Sequence, residues 1–73
     1  MKGLLITFSN PEAVQVYAER IECAHKGAEI TVGQNSTLRI TYPPQLPDEF
    51  VDTLIEGISN ALKERGHKVE NLS

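Results

Sequence analysis

The chain has 73 residues, 40% of them hydrophobic, and a formal net charge of −3 at pH 7. Its length allows one domain with a thin core, and its hydrophobic fraction argues against disorder. The charge disfavours non-specific binding to nucleic acid or anionic membrane, which draws on clustered Lys and Arg. No 18-residue apolar run occurs, so no membrane span is expected. The apolar run Leu4-Leu5-Ile6 is too short for the core of a signal peptide. The single cysteine, Cys23, rules out an intramolecular disulfide and fits a reducing compartment, which points to the cytoplasm.

Leu4, Ile6 and Phe8 alternate with Leu5 and Thr7, which predicts a first strand whose second face is partly covered through Leu5. Ser9-Asn10-Pro11-Glu12 signals a helix start. Asn10 can cap, Pro11 suits the first helical position, and Ser9 with Glu12 can form a capping box. The helix is expected over about 11–25, with Val14, Tyr17, Ala18, Ile21 and Ala24 on its apolar stripe and Gly27 just past its end.

Next come two alternating runs around a turn cluster, Gly33-Gln34-Asn35-Ser36. They predict a β-hairpin. One face carries Ala28, Ile30, Val32, Leu38, Ile40 and Tyr42; the other carries Glu29, Thr31, Thr37, Arg39 and Thr41. Pro43, Pro44 and Pro47 make a stiff connector that admits neither helix nor central strand. A second helix is expected from about Asp48 to Arg65. Its stripe is Phe50, Leu54, Ile58 and Leu62, joined by Val51, Ile55 and Ala61, and Gly66 ends it. Gly57 inside this helix suggests a close approach of another element. The segment His67–Leu72 has room for a short last strand, which the pattern alone does not decide.

The order β-α-β-β-α, with or without a final β, predicts an α+β two-layer sandwich over residues 1–73. It is the ferredoxin-like, split-βαβ arrangement: an antiparallel sheet with both helices on one face.

Motifs for chemistry are absent. Cys23 and His25 are two residues apart on the predicted helix and point about 200° apart, so they cannot share an ion, and His67 is remote. No nucleophile elbow surrounds Ser9, Ser36 or Ser59, and the glycines form neither a dinucleotide fingerprint nor a P-loop. No catalytic residue, cofactor or metal is expected.

The loop Thr7-Phe8-Ser9-Asn10-Pro11 has neither the two cysteines of a heavy-metal-associated domain nor the arginine of an acylphosphatase. In element order and size the chain is similar to a bacterial family of DNA-damage-inducible regulators of recombinase filaments. That likeness is one of topology, spans the whole chain and rests on no motif. Lys63 and Arg65 occupy the helix end that is strongly acidic in that family.

The remaining candidate is a surface. Leu5, Thr7, Glu29, Thr31, Thr37, Arg39 and Thr41 are expected on the open sheet face. That set has no aromatic residue for stacking RNA bases. Its polar, weakly charged character suits a protein partner or a second copy of the chain. The expected function is a non-catalytic protein-binding module, a small adaptor, inhibitor or regulator acting as a homodimer. The alternatives are a nucleic-acid-binding module using Lys63, Arg65, His67 and Lys68, and a small-ligand or enzymatic domain with a pocket between sheet and helices.

Overall fold

The computed structural model describes residues 2–72. Six elements follow in the order β1 (Gly3–Thr7), α1 (Pro11–Ala24), β2 (Glu29–Val32), β3 (Thr37–Thr41), α2 (Asp48–Glu64) and β4 (Lys68–Leu72). The segment left open by the sequence therefore forms a strand. The domain is a small α+β unit with one four-stranded antiparallel sheet, ordered β2-β3-β1-β4. No helix among the described residues is long and apolar enough to cross a membrane.

The inner face is set by strand parity. Leu4 lies opposite Ile40 and Ile6 opposite Leu38, and all four are fully buried. Val14, Ala18 and Ile21 of α1 and Val51 and Leu62 of α2 close over them, so both helices lie on this face. α1 lies against β2 and β3, and α2 against β4. These buried side chains fill the middle of the space between sheet and helices.

Helix ends follow from local chemistry. Asn10 has extended backbone, and its Oδ1 accepts the Ala13 amide at 2.9 Å, with Pro11 in the first turn. The expected Ser9–Glu12 capping box does not form. With Asn10 as the cap, Glu12 is one position short of the reciprocal site, and the Ser9 amide donates to His67 Nδ1 instead. At the end of α2, the Gly66 amide donates to the Lys63 carbonyl and the His67 amide to the Leu62 carbonyl. This Schellman closure requires the left-handed backbone that Gly66 adopts (φ 88°).

Three expectations about burial are corrected. Phe50, placed on the apolar stripe of α2, is 52% exposed. A four-residue repeat overshoots one helical turn by about 40°, so three steps carry Phe50 about 120° away from Leu62. The buried line is instead Val51, Leu62 and Ser59, flanked by Leu54, Ile55 and Ile58. Gly57 meets nothing: a Cβ built there has no neighbour within 4 Å. The close approach inferred for it is absent, and the glycine lies on the solvent side of α2.

Val32, assigned to the buried face of the hairpin, does have inward parity opposite Leu38, yet it is 51% exposed. β2 is an edge strand, about 10 Å from β1 at the usual strand spacing. Val32 pairs on one side only and stands next to the turn at Gly33, where neither helix covers it. Ala28 and Ile30, nearer the other end, are partly buried against the core.

Candidate functional site

The outer face of the sheet has no layer over it. The pairings arrange its side chains in cross-strand rows: Thr31, Arg39, Leu5 and Glu70 in the middle; Thr37, Thr7 and Lys68 on one side; Glu29, Thr41, Gly3 and Leu72 on the other. All seven residues assigned to this face from the sequence lie on it. The forming of β4 adds Lys68, Glu70 and Leu72, which the sequence reading left out because it did not commit to the strand. The segment reads Lys-Val-Glu-Asn-Leu, with polar Asn71 on the inward parity and apolar Leu72 on the outward one, so alternation does not mark it.

Leu5 is the central apolar residue of this face. It is only partly buried and is flanked across the sheet by Arg39 on β3 and Glu70 on β4. The face holds two cations, Arg39 and Lys68, and two anions, Glu29 and Glu70. The ion pair found among the described residues, Lys2 Nζ to Asp52 Oδ1 at 2.6 Å, lies elsewhere.

The four basic-end residues part company. Lys63, His67 and Lys68 line a shallow cleft with Leu5, Thr7, Val69 and Glu70. Arg65 instead donates from Nη1 to the Tyr17 hydroxyl at 2.6 Å. His67 packs edge-on to Phe8 with ring centroids 4.8 Å apart, and Phe8 stacks on Tyr17 at 5.2 Å. His67 therefore joins the end of α2 to the link before α1, Arg65 joins it to the middle of α1, and both serve as structural contacts.

His25, at the C-terminal end of α1, is partly buried. Its Nδ1 is 2.7 Å from the Tyr42 hydroxyl. Burial holds the His25 ring below the usual imidazole range and pushes the Tyr42 hydroxyl up to about 12. Both groups are thus kept neutral near pH 7. A buried tyrosine needs a partner for its hydroxyl, and that requirement was the sequence signal pointing inward from Tyr42. Cys23 is a free, exposed thiol on α1. Among the described residues, no three of the His, Cys, Asp and Glu side chains are placed to hold a metal ion.

Comparisons with protein-family models, with curated proteins and with solved structures each find no match for this chain.

Proposed function

We propose that the domain is a non-catalytic protein-binding module, a small regulator, inhibitor or adaptor whose working surface is the open sheet face. The observation that carries this reading is the central, partly exposed Leu5 ringed by threonines and by charges of both signs, with no element of the described residues above it. A flat face with an apolar centre and a polar rim is the usual anatomy of a protein interface. The strand order, with β1 and β2 parallel on either side of β3, supports placing the fold in the ferredoxin-like class, where one sheet face is left free. The exposed thiol of Cys23 supports a reducing compartment such as the cytoplasm.

The engagement of His25, His67 and Arg65 in structural contacts supports a role without catalysis. The same contacts weigh on the nucleic-acid alternative. They leave it Lys63 and Lys68, each close in sequence to a glutamate, Glu64 and Glu70.

The test is affinity co-purification of the tagged chain from its own host, comparing the native sequence with T31R, R39E and a helix-surface control, E19K. The reading expects a partner that stays with E19K and is lost from both sheet variants, with circular dichroism and melting unchanged. A partner that stays with folded T31R and R39E refutes it. A bound species that is nucleic acid and is released steeply by salt also refutes it.

A further inference from the structure

We infer that the partner of this face is a second copy of the same chain, paired face to face about a two-fold axis that runs close to β1. The inference rests on the sheet-face reading and adds to it the identity and geometry of the partner. Isologous pairing requires a surface that is complementary to itself. The middle row of the sheet meets that requirement. Arg39 and Glu70 stand one strand to either side of Leu5, at the same level of the sheet.

A two-fold axis lying over β1, along the strand, exchanges left and right while keeping the level. It sets Leu5 on the partner's Leu5, Arg39 on the partner's Glu70 and Glu70 on the partner's Arg39. The same operation sets Thr37 against Lys68 and Thr41 against Leu72. An axis across the strands through the same row sets Arg39 on Arg39 and Glu70 on Glu70. Like charges in contact disfavour that arrangement. Charge alone thus selects the axis along β1.

The geometry agrees with how sheets pack. Aligned sheets cross at about 30° and sit about 10 Å apart, which tilts the axis about 15° from β1. Alternation along β1 puts Gly3 and Thr7 on either side of Leu5, so small side chains surround the central contact. β2 overhangs the pair, since nothing lies at the matching distance beyond β4. Three strands of five residues cover only roughly 240 Å² of flat sheet per copy, from a spacing of about 4.8 Å and a rise of about 3.3 Å. A footprint this far below the standard interface size makes the pairing weak and transient. The dimer is therefore concentration-dependent and sensitive to salt.

Charge exchange tests the pairing on the purified chain. Sedimentation velocity and native mass spectrometry are run on the native sequence, on R39E, on E70R, on E19K and on an equimolar mixture of R39E with E70R. The proposal expects R39E and E70R each to weaken the dimer by at least about tenfold, because each places like charges at both symmetric contacts. It expects their mixture to form a heterodimer at least as tight as the native pair, since both contacts then regain opposite charges. E19K, on the exposed surface of α1 and away from the sheet face, leaves the dimer unchanged.

A mixture that stays monomeric while all variants keep the native melting curve overturns the proposal. So does a dimer that is unaffected by R39E, the signature of edge-to-edge pairing through β2 or β4, where a residue of the interior strand β3 is out of reach. A native chain that is monomeric at its highest soluble concentration overturns it as well. In that case the sheet-face reading is judged separately, by whether a foreign partner is lost from T31R and R39E.

Discussion

Gly57→Ala isolates backbone propensity from packing in this domain. Gly57 lies in the interior of α2, about 120° around the helix from the buried Val51. A Cβ added there touches nothing within 4 Å, and the backbone is not left-handed. The substitution therefore costs no contact and no strain. It removes the conformational freedom of glycine in the unfolded chain, which is worth about 0.8–1 kcal/mol in a helix interior. Against a total of roughly 3–5 kcal/mol for a core of this size, that is about a sixth to a third of the stability. The expected rise in Tm is about 4–8 °C. Urea titration followed by circular dichroism at 222 nm measures it, with an unchanged m-value showing that the same surface is exposed on unfolding. An unchanged or lowered midpoint refutes the reasoning and means that something packs against α2 at Gly57.

Gly3 presents the opposite case: a Cβ on it runs into the carbonyl of Ile40 on the neighbouring strand, so G3A lowers the stability by about 1–3 kcal/mol in the same titration. Truncation separates the two candidate stripes of α2. L62A removes a buried side chain and costs about 2–5 kcal/mol, whereas F50S, at a half-exposed position, stays within about 0.5 kcal/mol of the native value. The Tyr42–His25 contact gives a pH dependence at both ends of the range. Because burial raises the Tyr42 hydroxyl from 10.0 to about 12, the unfolded chain loses this proton first, and stability falls as pH rises from 10 to 12 by on the order of 2 kcal/mol. Because burial lowers His25 below 6.5, the unfolded chain gains that proton first, and stability also declines as pH falls below 6.5, levelling off under the folded value. Y42F, compared by thermal melts at a series of pH values, lacks the alkaline decline and is less stable by about 1 kcal/mol at pH 8. An alkaline limb identical in Y42F and the native chain rules out this assignment.

The sequence by itself determined what is local. Alternation along β1 and the hairpin fixed which residues face each way, because side chains in a strand have a period of two and one buried face sets the parity. Asn10, Pro11 and Gly66 marked helix ends because capping and left-handed closure need those residue types. The seven outer-face residues were legible for the same reason.

Only the tertiary structure decided what depends on neighbours distant in sequence. The order β2-β3-β1-β4 put β2 at an edge and left Val32 half exposed despite its inward parity. The repeat of four from Phe50 to Leu62 drifts about 120° around the helix, so only one end of it can be buried, and the placement of α2 chose the end with Leu62, in line with Val51. Pairing with β1 turned the tail into β4 and brought Glu70 level with Arg39 across Leu5. Parity is carried by each strand alone, but adjacency is created when strands meet, and the row Arg39, Leu5, Glu70 exists only once strands from the start, middle and end of the chain lie side by side.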